Sequence, residues 1–381
     1  MPRISKSVNE AIEAVSIRYN NLVYELKQKG ERVIVLSLGE AYFDVPLERF
    51  DDLPFPDLYH YSHSRGIDPL RKKIAEYYER SFQVKVDPAT EIMVTTGSKA
   101  AIYFALNAVL DPGCEAIVQE PMWVSYPEQV KLLHGVPVCL PYNASIREYE
   151  RYITEKTRVI ILNNPHNPRG EVLKKSDLEY LLELARAHDI YLLADEAYSD
   201  FDIEGQFTSL GALDSDKQNI IICNSISKNF GISGWRLGYT IAGKEITSQI
   251  LKLQQHIVTC PATILQHYVS DHFDKILETC RPQIRDLTVK RREVAKILDR
   301  LGLESLPGTT TFYYFISIAP TKLTSEEFCM RLLQERKVSA VPGSGYGQSC
   351  DAFIRVSFGT ETLADIQTGL ERIKGLIDAT S

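Results

Sequence analysis

Ile220-Ile221-Ile222-Cys223-Asn224-Ser225-Ile226-Ser227-Lys228-Asn229-Phe230-Gly231-Ile232-Ser233-Gly234-Trp235-Arg236-Leu237-Gly238-Tyr239 is the stretch on which the reading of this chain turns. Its apolar start predicts a buried strand. Lys228 follows at the strand's carboxyl end among small hydroxyl residues, and Arg236 lies a short way beyond. Burial and a neighbouring cation both lower a lysine pKa, and only the neutral amine attacks an aldehyde. Hydroxyls and a guanidinium hold a phosphate dianion. The stretch therefore suits a Schiff base between Lys228 and pyridoxal phosphate. A surface loop after a strand is the plainer alternative.

Around it, short β-branched runs alternate with helical patterns. The predicted strands are Glu91–Thr95, Glu115–Gln119, Val136–Leu140, Arg158–Leu162, Ile190–Ala194, Asn219–Cys223 and Gly238–Ala242. Between them lie predicted helices, among them Lys99–Leu110, Pro127–Leu133, Lys175–His188 and Lys244–His256. The expectation is an α/β fold: a mostly parallel seven-stranded sheet flanked by helices. Ligands of such sheets sit beyond the carboxyl ends of the strands. The polar motifs follow the strands in that way, from Thr96-Gly97-Ser98-Lys99 to Ser225–Lys228.

After about residue 285 the texture changes. Val289–Leu301 reads as a charged amphipathic helix, Thr310–Ile318 as an antiparallel strand and Ser325–Arg336 as a helix. Ala352–Phe358 and Ala364–Ile377 read as a strand and a last helix. We expect a large domain over 46–285 and a smaller α+β domain over 286–381. Segment 1–45, with a helix at about Ser16–Lys29, is expected to pack near the smaller domain.

The chain's 381 residues suffice for two such units, and 44% hydrophobic with 24% charged residues is ordinary for a globular enzyme. A net charge of -7 disfavours nucleic acid or an anionic membrane as partner. No apolar run approaches the ~20 residues of a membrane span, and Met1–Ser7 lacks the apolar core of a signal peptide. The seven cysteines are scattered without CxxC spacing. That disfavours a zinc site or a disulfide framework, and we expect reduced cysteines in a cytoplasmic protein.

Each motif has a chemical and a plain reading. Gly97 and Ser98 open a helix whose N–H groups suit an anion; a capped helix is the alternative. Lys99 in the first turn opposes the macrodipole, so it faces either a ligand or water. Trp123 stacks on a flat cofactor or fills a core. In Asn163-Asn164-Pro165-His166-Asn167-Pro168-Arg169-Gly170, Asn167 is a donor for a phenolate oxygen, or part of a simple turn. Asp195 ends an apolar strand and needs a partner, a pyridinium nitrogen or its own helix cap. Tyr198 stands three residues further on. Arg355, inside Phe353–Phe358, binds a carboxylate through two hydrogen bonds or makes a structural salt bridge.

In this order and spacing the motifs resemble the class I/II aminotransferases, fold-type I pyridoxal phosphate enzymes of the aspartate aminotransferase kind. The resemblance runs from Leu38-Gly39-Glu40 to Arg355 and the last helix. It implies Lys228 as the Schiff-base lysine and proton carrier, and Asp195 as partner of the pyridine nitrogen. Asn167 and Tyr198 would serve the ring oxygen, and Trp123 would stack on the ring. Gly97, Ser98, Ser225 and Arg236 would form the phosphate cup, with Lys99 beside it. Tyr61 would reach the neighbouring subunit's phosphate, making an obligatory homodimer. Arg355, beside the Gly39 backbone, would hold the substrate α-carboxylate. Lys99 matches a lysine that binds the distal carboxylate of dicarboxylic substrates in one subgroup, which favours aspartate or glutamate as amino donor and a 2-oxo acid as acceptor.

Two segments depart from the family pattern: Asn167-Pro168-Arg169-Gly170 for Asn-Pro-Thr/Ser-Gly, and Gly39-Glu40-Ala41-Tyr42 for Gly-Glu-Pro-Asp. The substrate is therefore expected to be decided around Lys99, Arg169 and the Gly39 loop. Ping-pong transamination is the implied reaction. Its rivals are other reactions of the same cofactor, such as β- or γ-elimination, and a non-catalytic regulator that binds it.

Overall fold

Seven short runs, most of them apolar, pair into one sheet in the computed structural model, which describes residues 2–45, 50, 53 and 57–381. They are β1 (Ile92–Thr95), β2 (Glu115–Gln119), β3 (Val136–Leu140), β4 (Thr157–Asn163), β5 (Tyr191–Asp195), β6 (Ile220–Ser225) and β7 (Gly238–Ala242). Their order across the sheet is β1-β7-β6-β5-β4-β2-β3. β7 runs antiparallel to β1 and β6, and the other pairs are parallel. The central strands are apolar at consecutive positions because both faces are covered. Ile160, Leu192 and Ile222 join one core, with helices Asp68–Phe82 and Lys175–Ala187. Ile161, Leu193 and Ile221 join the opposite one, under helix Ser98–Val109.

Register then places the chemistry. Asn163 lies opposite Asp195, and Asp195 opposite Cys223, so β4 and β5 end level along one edge and β6 runs two residues further, to Ser225.

The smaller unit is an antiparallel sheet of β8 (Tyr313–Ser317), β9 (Val341–Pro342) and β10 (Phe353–Ser357), in the order β9-β10-β8. Arg355 pairs with Phe315 on one side and Val341 on the other, which puts it mid-sheet. Helices Ser325–Arg336 and Leu363–Thr380 pack on this unit. The N-terminal helix Val15–Gln28 places Val15 and Tyr19 in the same core. Ile34–Val35 adds a short parallel pairing with Val338–Ser339.

One predicted element differs. Val289–Leu301 is the last part of a single helix, Thr263–Leu301, with Pro282 inside it. Residue 285 thus falls within a helix that crosses between the units. Residue 46, the expected start of the large unit, lies outside the described residues.

Two polar staples join the units on one side. The Gly170 carbonyl accepts the Thr309 and Thr310 N–H groups at 2.8 Å each. Buried Arg291 donates to the carbonyls of Tyr313, of Gly308 at 2.9 Å and of Arg169 at 3.4 Å. On the other side Glu120, just after β2, accepts the N–H groups of Gln348 at 3.0 Å and Ser349 at 2.7 Å.

Candidate active site

The site begins where β6 stops. Ser225 caps the short helix Ile226–Asn229 by accepting the Ser227 N–H at 3.2 Å. That turn carries Lys228 inward, where its Nζ donates to the Gly39 carbonyl at 2.6 Å. Burial pushes the Lys228 ammonium down to about 8; Glu40 opposes the shift, while Arg355 and Arg236 reinforce it. Roughly a tenth of such amines are neutral at pH 7, far more than for an ordinary lysine.

Asp195, at the end of β5, is buried. Its Oδ2 accepts the Tyr126 hydroxyl at 2.7 Å and its Oδ1 the Ala197 N–H at 3.1 Å. Burial pushes the carboxyl up to about 6, against those two bonds and the charge of Lys228. The local N–H contact of a cap is therefore present, and the carboxylate also faces the cavity.

After β4, the Asn163 side chain orders the turn by accepting the Asn167 N–H at 2.7 Å. The Asn167 Nδ2 donates to the Tyr198 hydroxyl at 3.5 Å. The Tyr198 and Tyr313 hydroxyls are 2.8 Å apart.

Arg355 enters from β10, 3% exposed. Its Nη2 donates to the Ser37 carbonyl at 2.5 Å, and its guanidinium lies over the rings of Tyr313 and Tyr346, at 4.8 and 5.6 Å. Its Nε has no partner. Among the described residues no carboxylate forms an ion pair with it, so the structural salt bridge is not what fixes this arginine. A buried, uncompensated guanidinium is costly unless an anion arrives.

The opposite end of the cavity is an anion cradle. Gly97, at φ +81°, leads into helix Ser98–Val109, and a Cβ there would sit 2.5 Å from Arg236 Nη2. A Cβ on Gly238 would sit 2.4 Å from the Ser98 nitrogen. Both glycines let the helix N-terminus and Arg236 close around one point. Lys99 lies over Trp123 at 5.1 Å, its pKa lowered by burial and by Arg236.

These groups enclose a cavity of about 270 Å³. Of the expected residues, Gly39, Ser98, Lys99, Trp123, Asn167, Asp195, Tyr198, Ser225, Lys228, Arg236 and Arg355 all line it, and Gly97 backs Arg236. Tyr61 does not; it stands 84% exposed. Arg169 does not either, contrary to its expected part in substrate choice. Its guanidinium turns away to pair with Glu171 at 3.2 Å.

Sequence reading missed Tyr126, Tyr313, Ser16 and Asn20. Ser16 and Asn20 carry a signal, since an i,i+4 polar pair shares one helix face. The tyrosines carry none, because an aromatic in an apolar run reads as core.

Four cations, Lys99, Lys228, Arg236 and Arg355, face two carboxylates, Glu40 and Asp195, in this cavity. An anion cradle at one end, an unpaired arginine at the other and a half-buried amine between them fit pyridoxal phosphate together with a carboxylate substrate. Comparison with known proteins agrees. The family described as aminotransferase class I and II matches residues 31–373. Aromatic-amino-acid aminotransferase 2 of Thermococcus litoralis is 33% identical, over 96% of this chain and 98% of its own. Aspartate aminotransferase of Pyrococcus abyssi is 32% identical over the same shares. The structure of Thermus thermophilus aspartate aminotransferase with maleate superposes with a TM-score of 0.90 at 30% identity, covering 99% of this chain and 100% of that one. Matched along nearly its whole length in sequence and in fold, the chain belongs to the class I and II aminotransferases and is a pyridoxal phosphate-dependent enzyme.

Proposed function

We propose that this aminotransferase takes its amino group from aspartate or glutamate and passes it to a 2-oxo acid, with Lys228 as the lysine that carries the cofactor. The observation behind the site assignment is the convergence of a half-buried amine, a buried carboxylate and an unpaired buried arginine on one cavity. When bound, pyridoxal phosphate supplies an aldehyde for the amines and a ring that takes up the electron pair left as the Cα–H bond breaks.

The chain's residues do the rest. Arg355 binds the substrate α-carboxylate and presents the Cα–H bond to Lys228. With its pKa lowered toward neutrality, the Lys228 Nζ is the group that would hold the cofactor and would carry the Cα proton as base and then as acid. Asp195, held by Tyr126, keeps the proton on the ring nitrogen. Asn167 and Tyr198 hold the ring oxygen, and Trp123 covers the ring face. Gly97, Ser98, Ser225 and Arg236 bind the phosphate.

Lys99 lines the cavity, solvent-exposed and without a carboxylate partner among the described residues, and it is the group we assign to the distal carboxylate. A charge-assisted bond of ~1.5–3 kcal/mol corresponds to about 10–100-fold. Lys99→Ala is therefore expected to lower kcat/KM for aspartate by that factor relative to an apolar amino acid. Equal losses on both substrates, or none, would remove Lys99 from specificity and leave the donor to be found with an amino-acid panel.

We further propose a homodimer, with Tyr61 completing the partner's phosphate site. Tyr61 and Arg236 are both exposed in the single chain, as a covering second copy requires. Sedimentation is expected to give twice the chain mass at micromolar concentration; a monomer that keeps full activity would defeat this. The division of the chain near residues 45 and 285 and a cytoplasmic location are proposed likewise. The first is supported by the N-terminal helix in the smaller unit's core. For the second, among the described residues no helix is long and apolar enough to cross a membrane.

A further inference from the structure

Tyr313 opens β8 and is fully buried. Its backbone carbonyl accepts from Arg291, whose other bonds go to the Gly308 and Arg169 carbonyls. The Tyr313 ring is thus fixed by the staple that also holds the turn carrying Asn167. That ring lies under the Arg355 guanidinium, and its hydroxyl meets the Tyr198 hydroxyl at 2.8 Å.

The pair has a preferred proton order. Arg355, beside Tyr313, can only donate. Among the described residues the Tyr198 oxygen is the one partner recorded for the Tyr313 hydroxyl. The Asn167 Nδ2 donates to that same oxygen. A phenol that accepts twice keeps its own proton for a third group, and Tyr198 borders the cavity.

We propose that Tyr313 is a positioning residue: its hydroxyl donates to Tyr198 and so turns the Tyr198 proton toward the ring oxygen of the bound cofactor, while its ring seats Arg355. This rests on the reading of Tyr198 as the ring-oxygen donor. It ties the carboxylate end of the site to the cofactor end through one side chain. Arg355, Glu40 and Tyr198 are the charged and titratable groups facing Tyr313, and Arg355, Asp195 and Tyr313 those facing Tyr198. Tyr313→Phe keeps all of them, and the ring, and removes one oxygen.

The test compares the holoenzyme with Tyr313→Phe, Tyr198→Phe and the double variant. Two quantities are read: the pH midpoint of the bound cofactor's visible band, and the cofactor Kd of each apoprotein. A donor on the ring oxygen stabilises its ionised form and lowers the midpoint. Tyr198→Phe is expected to raise the midpoint. Tyr313→Phe should raise it by a smaller amount, about 0.3–1 pH unit, with cofactor affinity about two- to tenfold weaker. The double variant should match Tyr198→Phe, because the Tyr313 effect acts through Tyr198. A structural role alone would leave the midpoint in place.

A downward shift in Tyr313→Phe would mean that Tyr198 donates to Tyr313, and it would overturn the inference. So would an unmoved midpoint beside a shifted Tyr198→Phe, or shifts that add in the double variant; the reading of Tyr198 survives each of these. No shift in Tyr198→Phe removes that reading and the inference with it.

Discussion

Lys228→Ala is expected to abolish turnover and the visible band of the covalently held cofactor. The variant loses two functions at once. The anchor goes, because among the described residues no other amine stands at the end of β6. The carrier of the Cα proton also goes, and positioned acid-base catalysis alone contributes about 10²–10⁴-fold. The combined fall should exceed about 10⁴-fold. The Arg355 and phosphate ends stay intact, so the variant should still bind cofactor non-covalently and bind substrate. Absorbance spectra with single-turnover kinetics check this. A variant that keeps the visible band would place the anchor elsewhere.

The second large effect is expected from Asp195→Asn. The carboxylate is buried, and its bonds to Tyr126 and Ala197 leave it facing the cavity as an anion. A contact ion pair at an effective dielectric near 20 is worth ~4 kcal/mol, or about a thousandfold in rate. The amide keeps the volume and loses the charge, so kcat should fall about 10²–10³-fold with little change in substrate KM. The sign with pH follows from the direction of the shift. Burial raises the Asp195 pKa to about 6 in the cofactor-free chain, so the anion is lost as pH falls through that value. Cofactor binding by the wild-type apoprotein should weaken below about pH 6, and more steeply than binding by Asp195→Asn, where the cofactor's own phosphate still titrates in that window. A wild-type-like kcat in the variant would show that the ring nitrogen needs no anion here.

The seven strands were readable because a strand covered on both faces shows as a continuous apolar run, and Ile220–Cys223 is such a run. Lys228, Asp195 and Asn167 were readable because they follow such runs. What the chain does not spell out is how the runs are set side by side. The level ending of Asn163 and Asp195 is a matter of register. The bonds of Tyr126 to Asp195 and of Tyr313 to Tyr198 join residues far apart in the chain. Arg169 misled for the opposite reason. It is two residues from Asn167, yet a turn directs neighbouring side chains to different places, and this one finds Glu171. Val289–Leu301 shows the same limit on a larger scale, since nothing local marks it as the end of a helix begun at Thr263.

The two polar staples bear on how such an enzyme diversifies. The Arg291 side chain gathers the backbone carbonyls of Arg169, Gly308 and Tyr313, and the Gly170 carbonyl accepts two backbone N–H groups, so the frame behind the cavity depends on one arginine and otherwise on main chain. The mouth is made differently, by side chains from separate stretches: Ser16 and Asn20 from the first long helix, Leu38 and Glu40 from the segment after it. Substitutions there alter shape and charge at the entrance while leaving the reacting groups where they are. Descent can therefore explore new amino donors at the rim without losing the reaction, and laboratory evolution of this chain should draw its useful changes from the same few positions.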